Sequence, residues 1–180
     1  MSLIAYANGM LVADNTALRE DCVGILHPMQ KLFISPTKQF AYAYCGSRIH
    51  SRAMEKVHDD LHTALLEAYR TNMNPSLDKE GPPGPHGEMS VTKQTTFLII
   101  TRDRVYQSRG FGPFMEELEL SDVVARGTNA SAYITARLYR DTEYEAALTA
   151  CEYIMQRPCS INVCAMHELE PIQFTETVKG

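Results

Sequence analysis

His58 and His62 stand four residues apart in a stretch with helical periodicity, so both imidazoles fall on one helix face. That is the placement by which two histidines grip a metal. Between them lies Asp-Asp-Leu, without a glutamate where a zinc protease of the His-Glu-x-x-His type carries its base. The pair therefore reads as part of a solvated helix face. Cys22, Cys45, Cys151, Cys159 and Cys164 form an odd set with no Cys-x-x-Cys pair. They read as reduced, mostly buried small apolar residues, with a structural zinc site as the lesser alternative. Asp14 precedes Asn15-Thr16, residues that hydrogen-bond their own backbone in turns, so it suits a turn cap. Lys31 opens a strand, where a lysine is ordinarily solvated. The chain has neither a phosphate-cradling Gly-x4-Gly-Lys nor a Gly-rich dinucleotide turn, and its nine methionines and nine tyrosines are scattered. No cofactor is expected.

The elements that position these residues follow from hydrophobic periodicity. Leu3 to Tyr6 and Met10 to Ala13 are apolar runs around Asn8-Gly9, two residues that tolerate the positive φ of a tight hairpin turn. Leu32 to Ile34 and Phe40 to Cys45 form a second hairpin across Ser35-Pro36-Thr37-Lys38. A helix is expected from Gly46-Ser47 to about Arg70, with Ile49, Met54, Val57, Leu61, Leu65 and Leu66 at steps of three and four. The stretch from Thr71 to Lys93 contains four of the nine prolines and no apolar period, which predicts a mobile surface loop. Strands resume at Thr95 to Thr101 and Arg104 to Gln107, with another near Val123 to Arg126. Ala130 to Arg140 and Thr142 to Arg157 read as helices, the second opened by an Asp141/Thr142 cap with Glu145 at capping-box spacing. Ile161 to His167 is a closing strand. Strands grouped in hairpins, with helices in separate blocks, indicate a layered α+β fold.

Length and charge narrow the function. A chain of 180 residues suits one domain over 1–180, interrupted by the loop at about 71–93. A formal net charge of −5 gives no positive field for a nucleic acid or an anionic membrane. No apolar run approaches the roughly 20 residues that cross a bilayer. Met1 to Gly9 lacks a basic n-region and a long apolar core, so the expected location is the cytoplasm.

The order of elements resembles that of proteasome β-subunits and of the peptidase subunit of the bacterial HslV protease. Local segments match in the same order. Gly9 to Asp14 (GMLVAD) is similar to the family's second strand with its aspartate, and Lys31 to Ile34 followed by Tyr42 to Ser47 (YAYCGS) to its lysine strand and glycine turn. Phe97 to Gln107 resembles the third hairpin. Ala125-Arg126-Gly127-Thr128-Asn129 stands where the family has Gly-Ser-Gly before a helix, and Cys151 to Ile172 resembles the closing helix and strand. The resemblance implies a four-layer αββα sandwich of the N-terminal-nucleophile hydrolase type.

In that family the hydroxyl of the first residue attacks an amide carbonyl, with the residue's own α-amine as general base. An α-amine titrates near pH 8, so at neutral pH it is partly unprotonated and already beside the hydroxyl. By position, Ser2 is the implied nucleophile once Met1 is removed, Lys31 the cation beside it, and Asp14 the carboxylate that orients the lysine. Gly46 is implied as the oxyanion donor and Thr128 as the supporting serine. Gly46 is equally what any strand-to-helix turn needs, and Thr128 also suits a helix cap.

Three departures bear on activity. Serine replaces the usual threonine and lacks the methyl that fixes its rotamer. The first hairpin is several residues shorter than the family's. A two-residue turn at Asn8-Gly9 sets position 3 across from position 14 and assigns Met1 to the nucleophile slot; a three-residue turn sets Ser2 across instead. Ser160 stands where the family has a supporting aspartate, and the 71–93 loop replaces most of an outer helix. The leading expectation is a self-compartmentalising peptidase subunit, a threonine-type hydrolase with an N-terminal serine. It is expected to assemble as a homo-oligomeric ring, to act on peptides or unfolded protein, and to be open to an ATPase unfoldase as partner. The alternatives are a catalytically silent ring subunit and an amidohydrolase of small substrates.

Overall fold

The computed structural model describes residues 3–18, 26–46, 60–73, 95–108, 115–156 and 158–172. Asn8 and Gly9 have φ values of 50° and 73°. This left-handed pair is the two-residue turn that matches strand twist, and it joins β1 (Ile4–Ala7) to β2 (Met10–Asp14). The register follows from it, with Ala7 opposite Met10 and Ile4 opposite Ala13. On the far side of β1 lies β10 (Val124–Arg126), and on the far side of β2 lies β11 (Ile161–Ala165). The sheet order is β10-β1-β2-β11, antiparallel throughout.

The second sheet is also antiparallel, in the order β5 (Leu32–Ile34), β6 (Phe40–Cys45), β7 (Thr96–Thr101), β8 (Val105–Ser108), β9 (Met115–Leu118). Sequence periodicity did not point to β9. Its centre is Glu116-Glu117, poor strand formers that are tolerated because β9 is the last strand of this sheet, paired among the described residues to β8 alone. Nor did it point to the ribbon of β3 (Thr16–Leu18) and β4 (Leu26–Pro28), two three-residue strands of which one ends in proline.

Alternation along β1 and β2 creates the layers. Ile4, Tyr6, Leu11 and Ala13 pack between the sheets against Leu32, Ala43, Leu98 and Ile100. Leu3, Ala5 and Val12 point the other way, against α2 (Ala130–Ala136) and α3 (Glu143–Met155), through Tyr133, Ala146, Ala147 and Ala150. On the second sheet, Phe40, Tyr42, Tyr44, Phe97 and Ile99 face α1 (Leu61–Met73) through Ala64 and Ala68. Phe33 stacks on Tyr42 with ring centroids 5.2 Å apart. Each fully buried aromatic or branched side chain contributes about 1.5–3 kcal/mol of apolar burial. The product is helix, sheet, sheet, helices: the αββα sandwich. The expected loop at 71–93 gives way at its start, where α1 runs on past Arg70 to Met73. The rest of that loop, and the part of the expected helix over 47–59, lie outside the described residues.

Thr142 caps α3, its side chain accepting from Glu145 N–H at 3.1 Å. The N-cap of α2 is Asn129, one residue past Thr128. That helix stops at Ala136, before the expected Arg140, and continues as turns with Leu138 N–H bonded to Thr135 O. Glu143, 9% exposed, closes the sandwich at the hairpin end. Its carboxylate accepts from the Tyr133 hydroxyl, from Arg137 Nε at 2.9 Å and from Asn8 Nδ2 at 2.8 Å.

Candidate active site

The opposite end of the β1–β2 hairpin holds the one polar cluster that matches the sequence-derived candidates. Asp14 closes β2 and Lys31 immediately precedes β5, so the two come from different sheets. Lys31 Nζ donates to both carboxylate oxygens, at 2.8 and 2.9 Å. Relative exposures of 0% for Asp14 and 2% for Lys31 make this a buried ion pair. Such a pair is a weak source of stability, because desolvating two charges offsets most of their attraction, and removing one partner strands the other.

Backbone bonds fix both partners. Leu3 N–H donates to Asp14 Oδ1 at 2.6 Å, and Leu3 O accepts from Asp14 N–H at 3.0 Å. Tyr44 N–H donates to Lys31 O at 3.1 Å, tying the lysine to β6. Gly46 follows β6 at a φ of 131°, which favours glycine. Thr128 is solvent-exposed in the turn between β10 and α2. Asp14, Lys31 and the strand leading to Gly46 are thus brought together. The hairpin has its two-residue turn, so Leu3 stands across from Asp14; Met1 and Ser2 lie outside the described residues.

On the β11 side, Asn15 N–H donates to Ser160 O at 3.1 Å and Asn15 Nδ2 to Ser160 Oγ at 3.2 Å. Asn15 and Asn162 exchange amide hydrogen bonds at 2.9 and 2.8 Å. The neighbourhood of Ser160 is therefore neutral and internally satisfied.

Periodicity missed three further residues. Asn129 is fully buried, its Nδ2 donating to Cys151 Sγ at 3.4 Å while its Oδ1 has no partner. Burial pushes the Cys151 thiol up to about 12, opposed by the Asn129 hydrogen bond, and the charges of Asp14 and Lys31 both reach it. Cys45, at the end of β6, is also raised, first by burial and against the field of Lys31. Arg126, the last residue of β10, reaches across to Gln107 of the second sheet at 3.0 Å. Asparagine's preference for N-caps is the signal that could have singled out Asn129 beside Thr128. Arg126 and Cys45 carry no comparable local signal. Among the described residues no group of three His, Cys, Asp or Glu side chains could hold a metal. No helix among them is long and apolar enough to cross a membrane.

No family model matches the sequence, and no curated protein does. Solved structures do. Eukaryotic HslV from Trypanosoma brucei is similar with a TM-score of 0.58 at 12% identity, over 91% of this chain and 98% of that one. An Anbu (Gly-1) mutant from Hyphomicrobium sp. strain MC1 gives 0.60 at 11% identity, over 96% and 86%. The Anbu complex of Pseudomonas aeruginosa, solved as a helical assembly, gives 0.58 at 9% identity, over 93% and 83%. At such identities the likeness speaks for architecture alone. The chain has the HslV-like sandwich fold of the N-terminal-nucleophile hydrolases that its sequence resembles.

Proposed function

We propose that this chain is a peptidase subunit whose nucleophile is Ser2 after removal of Met1. The observation that carries this reading is the buried Asp14–Lys31 pair bonded to the Leu3 backbone nitrogen. Ser2 is joined to that nitrogen by one peptide bond, so standard bond lengths keep its α-amine within about 4 Å of it. By strand row the two-residue turn at Asn8-Gly9 assigns Met1 to the nucleophile slot. Ser2 is proposed because it alone of the two has a hydroxyl and it directly precedes Leu3 in the chain.

In this mechanism Ser2 Oγ attacks the peptide carbonyl carbon while the Ser2 α-amine takes the hydroxyl proton. The Gly46 N–H donates to the oxyanion and the Lys31 ammonium stabilises the developing charge, with Asp14 holding the lysine in place. Collapse breaks the C–N bond, and the departing amine takes the proton from the α-ammonium. Water, activated by the same α-amine, then hydrolyses the ester and restores Ser2. Self-assembly is part of the proposal, supported by exposed Leu138 and Tyr139 in the turns after α2, by exposed Tyr153 on α3 and by the assembled state of the Anbu neighbour.

A second reading, a catalytically silent ring subunit, is favoured by Ser160. It stands where the resemblance calls for a carboxylate, and its side chain is engaged by Asn15. Intact mass and labelling with a peptide boronate separate the two. Loss of Met1 with one boronate per chain, abolished by Ser2→Ala, supports the peptidase. Loss of Met1 without labelling supports the silent subunit.

A further inference from the structure

Among the described residues, the inter-sheet face carries an arginine, Arg126, that the proposed chemistry does not use. Arg126 pairs with Ile4 across β10 and β1 and so shares its inter-sheet face, one row from Leu3 and Asp14. Its side chain is exposed. Nη2 donates to Gln107 Oε1 at 3.0 Å, and Nη1 to the Ala125 carbonyl at 3.0 Å. Gln107 is itself buried, and its Nε2 donates to Glu116 Oε2 at 2.8 Å. The amide cannot flip without losing both bonds, so Glu116 orients Gln107 and Gln107 orients the guanidinium. Glu116 is kept one side chain away from the cation.

Among the described residues no carboxylate pairs with Arg126 directly. A guanidinium has five N–H donors in a planar fork that matches a carboxylate, and two of them suffice for the bonds to Gln107 and Ala125. The remaining edge is open to solvent. Arg126 also belongs electrostatically to the site: the Cys45 thiol, on the inter-sheet face of β6, feels Lys31, Asp14 and Arg126 together. Asp14 offsets the charge of the buried Lys31, whereas Arg126 is an exposed cation on the inter-sheet face.

We infer that Arg126 determines specificity by receiving a carboxylate side chain of the bound peptide, so that acidic peptides are the preferred substrates. The inference rests on the peptidase reading for turnover but not for binding, and the two can fail separately. The test compares peptides that differ only in carrying Glu, Gln or Lys at the residue whose carbonyl is attacked. Charge-assisted bonds of this kind predict a kcat/KM for Glu over Gln of about tenfold or more in the wild-type protein. Arg126→Gln should bring the ratio to about one, Arg126→Lys should keep part of it, and Arg126→Glu should turn it toward Lys. In parallel, fluorescence anisotropy measures binding of the same peptides to the Ser2→Ala protein and to its Arg126→Gln derivative. Acidic preference in binding, lost with Arg126, upholds the inference even where no peptide is cleaved, an outcome that sinks the peptidase reading alone. Equal binding of the Glu and Gln peptides, or a preference that survives Arg126→Gln, overturns it.

Discussion

Leu3 and Asp14 face each other across the two-residue hairpin, and the Leu3 N–H lies 2.6 Å from the Asp14 carboxylate. The carboxylate therefore has two duties: it closes the mouth of the hairpin and it neutralises Lys31 from the other sheet. A turn chosen by Asn8-Gly9 at one end thus decides which backbone nitrogen meets the carboxylate at the other.

Removing one member of the buried pair should cost more than removing both. Asp14→Asn leaves the Lys31 ammonium without its counter-charge and should lower unfolding stability by about 3–5 kcal/mol. Adding Lys31→Met should recover part of the loss, because a neutral apolar chain of similar length fills the space. Urea denaturation of the two single variants and the double variant checks this, and a double variant worse than both singles contradicts it. All three should lose boronate labelling.

Alkali should destabilise the fold through buried thiols. Burial raises Cys151 from 9.0 to about 12 and Cys164 from 9.0 to about 11. Both are raised in the folded state, so their contribution is whole below pH 9 and is lost as pH climbs from 9 toward 11 and 12. In that window the unfolded chain has released protons that the folded chain keeps. Each thiol adds a fall of up to about 1.4 kcal/mol per pH unit. Denaturation midpoints measured from pH 8 to 11 should decline, less steeply in Cys151→Ala than in the wild type.

The Glu143 cluster separates stability from chemistry. It joins Asn8, Tyr133 and Arg137 at the turn end of β1–β2, away from Asp14. Tyr133→Phe should cost about 1–1.5 kcal/mol, and Glu143→Ala about 2–3 kcal/mol because it leaves Arg137 unpaired. Thermal melts should register both losses while boronate labelling of the folded protein persists.

Much of this fold is legible in local chemistry. The Asn8-Gly9 turn, the inward residues of β1, β2, β6 and β7, and the Thr142 cap follow from φ preference, alternation and capping. Short edge elements are not legible in that way. β9 has glutamates at its centre, and β3–β4 spans three residues a side, so pairing partners rather than propensity hold them. The site divides similarly. Asp14 and Lys31 are 17 positions apart in sequence and meet only because two sheets stack. Read alone, each is an ordinary turn cap or a solvated lysine. The path from Arg126 through Gln107 to Glu116 crosses three strands, and no spacing along the chain announces it.

Gly46 should resist substitution. At a φ of 131° an added Cβ is strained, and Gly46→Ala should cost about 1–3 kcal/mol in urea unfolding. It should also reduce kcat of peptide cleavage more than it raises KM, because an oxyanion donor acts in the transition state.

An epoxyketone peptide gives the most direct test of the central claim, since it reacts with a hydroxyl and an adjacent α-amine together. Mass spectrometry of the treated protein should show a chain lacking Met1 and carrying one inhibitor, mapped to the peptide that begins at Ser2. The adduct should be absent from Ser2→Ala and from Lys31→Met. A folded, assembled protein that retains Met1, or that lacks Met1 and takes up no inhibitor at Ser2, would contradict the account.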